Sequence, residues 1–192
     1  LGLFMVLPLF AVYARELEGA GTASIGLALG AYGLTQALLQ VPLGWLSDRV
    51  GRKPIIVGGL CLLIFGSVVA ALAETLAGLA LVRLLQGSGA IASATMALAA
   101  DYTRIGQRTK ASAIIGASIG ISFALALVLG PTIAAWGGLS AVFEVTAAMG
   151  ALGLVVVVLW LPTTPQLTDG GRAHLADRQR LGEALWGRGL GI

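Results

Sequence analysis

The residues whose types and spacing best suit chemistry lie at one junction, Gly44-Trp45-Leu46-Ser47-Asp48-Arg49-Val50-Gly51-Arg52-Lys53-Pro54. One carboxylate stands among three cations there, which points to ion pairing rather than to simple anchoring. The plain alternative is a hairpin whose cations only face lipid phosphates. Gly44 permits close approach at a helix end, Gly51 suits a turn with positive φ, and Pro54 suits the first turn of a following helix. Two further charges border or interrupt apolar sequence. Arg83 lies inside a hydrophobic stretch, where an Arg at mid-helix costs about 2.5–3.5 kcal/mol on insertion scales. It either faces the bundle interior and pairs, or snorkels to the interface. Asp101 ends the same stretch, and it can meet Asp48 and Arg52 if the neighbouring helices end at one level; otherwise it is a helix-end acid or loop cap.

Weaker candidates follow. The amides Gln36, Gln40 and Gln86 either line a cavity or bond between helices, since an amide in lipid must find a partner or water. Tyr32, Met96 and Phe123 offer adaptable apolar contacts to an amphipathic ligand, or pack as ordinary core. Glu144 reads as interfacial and Glu74 as a solvated turn residue. A metal site is not expected, because the single His174 and the single Cys61 are far apart and leave no ligand spacing. An enzyme is not expected either. A hydrolase needs a paired nucleophile and base, and the apolar stretches hold no His and no acid pair.

The elements that must position these residues are membrane spans. The chain has 192 residues, 57% of them hydrophobic and only 11% charged, and its mean hydropathy is +0.93. A soluble domain carries about 25% charged residues, so a soluble enzyme or nucleic-acid binder is excluded on composition. The stretches 19–47, 54–73, 84–100, 111–143 and 145–168 contain no Asp, Glu, Lys or Arg. Most are long enough to cross about 30 Å of hydrocarbon at about 1.5 Å per residue. They are continuously apolar rather than alternating, which excludes a β-barrel. Six segments are expected, at 1–14, 24–47, 54–73, 76–100, 111–136 and 139–161. The first reads as the back half of a helix. The tail 162–192 is polar, and Leu175, Leu181, Leu185 and Trp186 could make a short surface helix in it. Most of the 28 glycines fall within spans. Gly26, Gly30 and Gly33, like Gly116 and Gly120, are expected to serve close helix packing.

Charge sorts the loops. The loops 48–53 and 101–110 and the tail hold Arg49, Arg52, Lys53, Arg104, Arg108, Lys110, Arg172, Arg178, Arg180 and Arg188. The loops 15–23, 74–75 and 137–138 hold Arg15 alone. The positive-inside rule makes the first set cytoplasmic. The net charge of +3 therefore reports topology and not nucleic acid.

The junction fills every specified position of the loop motif Gly-x-Leu-(Ala/Ser)-Asp-Arg-x-Gly-Arg-(Arg/Lys), and so resembles the major facilitator superfamily. Arg83-Leu-Leu-Gln86-Gly87 resembles the family's fourth-helix Arg-x-x-x-Gly motif. Gly130-Pro131 resembles the fifth-helix Gly-Pro motif of its proton-coupled antiporters, although Ala126, Ala134 and Ala135 replace glycines of that motif. Longer runs, such as Tyr32-Gly-Leu-Thr-Gln36-Ala37 and Val128-Leu-Gly-Pro131, are most similar to YajR-type drug:proton antiporters.

The resemblance implies an all-α membrane protein: the six-helix N-terminal half of a twelve-helix bundle, built as two inverted three-helix repeats. Residues 1–161 would form that half, with its first helix truncated. Residues 162–192 would be the cytoplasmic linker and possible start of a seventh helix. It implies a conformational switch and charge relay at Asp48, Arg49, Gly51, Arg52, Lys53 and Asp101. It implies proton coupling around Arg83, Gln86, Gly87 and Gln36, and hinge or packing roles for Gly44, Gly130 and Pro131. The expected partners are the lipid bilayer, a small amphipathic substrate, protons and a second six-helix half. Neither a cofactor nor nucleic acid is expected, and the whole protein should be a monomer. With no Gly-x-x-x-x-Gly-Lys-(Ser/Thr) loop in the sequence, the driving force should be an ion gradient. The function expected is export of amphipathic compounds against protons across a bacterial inner membrane. Import of a sugar or organic acid by a member of the same superfamily is the alternative, and it calls for a more polar interior.

Overall fold

A computed structural model describes residues 2–13, 21–89 and 91–161. The tail and its suggested surface helix lie outside the described residues, as does the loop around Arg15. The regular elements among the described residues are helices: α1 (Gly2–Tyr13), α2 (Thr22–Val50), α3 (Arg52–Ala71), α4 (Leu76–Ser88), α5 (Ala92–Asp101) and α6 (Arg108–Trp160), with a short 3-10 turn at Ile105–Gln107. Among the described residues, four stretches are long and apolar enough to cross a membrane: Thr22–Val50, Arg52–Ala71, Leu76–Asp101 and Arg108–Trp160. The chain is thus a multi-pass, all-α membrane protein.

At 53 residues, α6 would reach about 80 Å as one straight helix, more than twice the hydrocarbon thickness. It breaks where the two apolar segments were expected to part, at Gly137 (φ −144°, ψ 21°) and Gly138 (φ 67°, ψ −158°). Glycine is needed at Gly138, since that backbone geometry lies far from what a Cβ permits. The two arms, 108–136 and 139–160, complete six helical units, with α4 and α5 together forming the fourth.

The hairpin at 48–53 corrects the sequence reading. In place of a six-residue loop there is one residue, Gly51. Asp48 and Arg49 belong to the last turn of α2, while Arg52, Lys53 and Pro54 open α3. Gly51 achieves this with φ 107°, ψ 153°, a region open essentially to glycine alone, and its N–H donates to Ser47 O at 3.1 Å. The expected fourth span also comes in two pieces. Thr75 caps α4 by accepting from the Gly78 N–H, and α4 stops at Ser88, three residues before the N-cap of α5.

Packing pairs α2 with α4, α1 with α6 and α3 with α6. The first arm of α6 lies on α1, where a Cβ at Gly130 would sit 3.2 Å from Leu9 Cδ1. Its second arm lies on α3, where a Cβ at Gly150 would come within 2.9 Å of Ile64 Cγ1. Exchanging the first three units for the last three turns the α2–α4 pair into the α1–first-arm pair and leaves the α3–second-arm pair unchanged. Successive spans alternate in direction, so this is the symmetry that inverted three-helix repeats generate. The main core holds Met5, Val6, Leu9 and Phe10 of α1 against Leu79 and Val82 of α4 and Ala126, Val142 and Phe143 of α6.

Glycines divide into two sets, contrary to the expectation that the stripes pack helices. At Gly59 and Gly89 the backbones touch so closely that a Cβ on either would lie 2.6–2.7 Å from the other's carbonyl oxygen. Gly87 lies against the backbone of Tyr32 and the side chain of Thr35. By contrast, a Cβ at Gly26, Gly30, Gly33, Gly116 or Gly120 would meet nothing within 4 Å. Those stripes lie on faces of α2 and α6 turned away from the other described helices, so they close no helix contact within these six units.

Candidate functional site

Two charged clusters stand out, one at a rim of the bundle and one inside it. At the rim, Arg52 joins three groups. Its Nη1 pairs with Asp48 Oδ1 and donates to Ser47 Oγ at 2.7 Å, while its Nε donates to Asp101 Oδ2 at 3.1 Å. Ser47 is buried and its own proton goes to Gly44 O at 2.6 Å. Bridging needs the ends of α2 and α5 at one level, and the one-residue turn at Gly51 sets Arg52 between them. A Cβ at Gly44 would lie 3.2 Å from Ser93 Oγ, and Ser93 Oγ donates to Gln40 O at 2.9 Å, so the same two helices are also tied about two turns deeper. The Asp48 side chain remains 59% exposed against 25% for Asp101, leaving Asp48 open to a further partner.

Two members of the expected relay are placed elsewhere. The Arg49 guanidinium lies over the Trp45 ring, 3.7 Å from its centroid, and is not in the ion-pair cluster. Its place on α2, four residues from Trp45, brings it to the ring rather than to Arg52. Lys53 reaches across to the end of α6, where Nζ donates to Val158 O at 2.9 Å and also to Leu161 O. A cation there satisfies carbonyls that the last turn of a helix leaves free and meets the negative end of its dipole.

The inner cluster is built around Arg83, which is 1% exposed and so is not a snorkelling residue. Its Cζ lies 4.9 Å from the Tyr32 ring centroid and 5.7 Å from that of Phe10. Nη1 donates to Gln86 Oε1 at 3.2 Å. Nε and Nη2 are buried without a partner among the described residues. Two rings at about 1 kcal/mol each and a charged hydrogen bond at about 1.5–3 kcal/mol roughly match the insertion cost of about 3 kcal/mol. The guanidinium is therefore tolerated where it stands, with two nitrogens, Nε and Nη2, in reserve.

The remaining candidates are scattered. Gln86 is buried in the inner cluster and Gly87 admits α2 beside it. Gln36 is half-buried on α2 and makes no side-chain hydrogen bond among the described residues. Tyr32 is committed to Arg83, and Phe123 stands edge-on to Phe4 at 5.4 Å. Met96 is exposed on α5. Gly130 packs on α1, whereas Pro131, Glu144 and Glu74 are exposed. Sequence reasoning missed Phe10, Ser47 and Ser67. A polar residue in an otherwise apolar span was the available signal for Ser67.

The sequence profile of the Major Facilitator Superfamily matches residues 1–189. The inner membrane transport protein YajR of Escherichia coli (strain K12) is 53% identical over 164 residues, covering 85% of this chain and 36% of that protein. The class B tetracycline resistance protein of Escherichia coli is 29% identical over 175 residues, 88% of this chain and 43% of that one. Among solved structures, a peptide transporter POT crystallised in complex with sulfate superposes with a TM-score of 0.69 at 20% identity, over 98% of this chain and 43% of that one. This chain spans less than half the length of these curated relatives.

Proposed function

Since the chain belongs to the major facilitator superfamily, we propose that it forms the N-terminal half of a secondary transporter that exports small amphipathic compounds in exchange for protons. Substrate would bind near the midplane between this half and a second one, and the halves would rock to open the cavity to each side in turn. The glycine-lined faces of α2 and α6, free of neighbours here, suit that shared surface. Orientation follows the loop charges, with the rim cluster cytoplasmic and the membrane a bacterial inner membrane.

The observation that carries this reading is Arg52 bridging Asp48 and Asp101. One cation fixes the ends of α2 and α5 while leaving Asp48 exposed, as a closing contact with the second half requires. A helix N-terminus from that half would favour the carboxylate through its dipole, and protonating the carboxylate would remove the attraction and free the rim. Each unit charge moving down the potential supplies about 2.3 kcal/mol per 100 mV, enough to drive such a switch. Within the bundle, the buried Arg83 supports proton coupling, and the scarcity of other buried polar groups supports an amphipathic cargo over a sugar. The class B tetracycline resistance relative makes tetracycline a suitable first probe.

The test is tetracycline and ethidium accumulation in cells expressing the full-length protein, with and without an uncoupler. Lower accumulation that an uncoupler abolishes is the expected result. Accumulation equal to that of control cells counts against export, accumulation above control points to import, and export that ignores the uncoupler counts against proton coupling.

A further inference from the structure

The inner cluster continues beyond Arg83 onto a fourth helix, α3. Gln86 Nε2 donates to Ser67 Oγ at 2.9 Å, and Ser67 Oγ donates to Leu63 O at 2.7 Å. Ser67 is fully buried on α3. The neighbouring Gly66 makes room for this contact, since a Cβ there would lie 2.6 Å from Gln86 Cγ. The direction of the chain is forced. A guanidinium only donates, so Gln86 must turn its oxygen to Arg83 and its NH2 away. That NH2 then needs an acceptor, which Ser67 supplies only if its own proton goes elsewhere. Leu63 O takes that proton. Each link has one orientation, and all of them end at an i−4 backbone carbonyl that the helix holds rigid.

We infer that Ser67 is a positioning residue for Arg83, acting through Gln86. It locks the amide, the amide locks Nη1, and Nε and Nη2 are thereby held at one angle between Phe10 and Tyr32. Those two nitrogens are the ones without a partner among the described residues, so the aim of the guanidinium is what this chain of bonds sets. Without Ser67 the Gln86 NH2 loses its acceptor and the amide its anchor on α3, so the amide, and with it the guanidinium, samples more than one pose. The consequence for proton coupling rests on the transport reading above; the positioning itself does not.

The test uses full-length transporter, purified, with phenylglyoxal as the arginine reagent and mass spectrometry of the peptide bearing Arg83. Ser67→Ala should raise the labelling rate at Arg83 by about tenfold, the scale set by one lost buried hydrogen bond. Ser67→Thr keeps the hydroxyl and should label as the parent does. Gly66→Ala, which displaces Gln86 without touching Ser67 chemistry, should behave like Ser67→Ala. Equal labelling in parent and Ser67→Ala overturns the inference. So does faster labelling shared by the Ala and Thr variants with equal falls in melting temperature, since that marks packing alone. A second readout is tetracycline uptake into proteoliposomes under an imposed pH gradient, where Ser67→Ala should shift the pH profile and Ser67→Thr should not. If the parent moves no tetracycline while the labelling contrast holds, the transport reading fails and the positioning stands.

Discussion

The rim cluster and the inner cluster both centre on an arginine, yet they are built on opposite terms. Arg52 has two carboxylates and a hydroxyl around it at a surface open to water. Arg83 has two rings, one amide and no carboxylate among the described residues. The Asp48 carboxylate is 59% exposed, and an exposed ion pair is worth about 0–1 kcal/mol, so its bond to Arg52 can break and reform at little cost, as a latch needs. A buried guanidinium with spare donors is held by everything around it and strongly favours any negative charge brought near. The first arrangement suits switching, the second suits sensing.

Arg83→Met should separate the two most clearly. Removing a buried charge in favour of an apolar side chain of similar length is neutral or stabilising in many proteins, so the melting temperature should hold or rise. Transport should nevertheless fall by about a hundredfold or more, the scale of one strong charge interaction. A variant that keeps transport would place Arg83 with packing and end the contrast.

Gly51→Ala is next. The φ of 107° is costly for alanine, about 1–3 kcal/mol, and the strain falls on the turn that aims Arg52. Lower thermal stability together with weaker transport is expected. An unchanged melting temperature would mean that the turn can relax, and that the rim is looser than described.

At the rim itself, Asp101→Asn and Asp48→Asn should each reduce transport about three- to tenfold. A double-mutant cycle for the Asp48 and Arg52 pair should give a coupling of about 0.5–1 kcal/mol, and swapping the two charges should recover part of the activity lost in either single variant. Additive effects would show that the acids act without the bridge.

Lys53→Met should be milder, costing about 0.3–1 kcal/mol of stability, because the α6 carbonyls can take water at the rim instead. Arg49→Gln should do less still, given that Arg49 only covers Trp45.

Much of this molecule is legible in the amino-acid sequence. The apolar stretches, their charge-free length and the doublet Gly137-Gly138 follow from what a bilayer demands of a backbone, and the helices and the break in α6 lie where those demands put them. The rim was legible in part: the acid among bases announced an ion pair, but not that Arg49 would leave it for Trp45 or that Lys53 would reach Val158. Side-chain partners that far apart in sequence depend on which helix ends meet, and local pattern carries no record of that.

Composition and periodicity by themselves determined that this chain lies in lipid, how many helical units it forms and where Gly51 must turn, because each of these is a local contest between backbone, side chain and solvent. Only the packed bundle decided that Arg83 is enclosed rather than snorkelling, that Ser67 stands behind it, and that the stripes at Gly26 and Gly116 face no other described helix. Those outcomes depend on the rotation of each helix about its own axis, which the helices fix only by packing against one another.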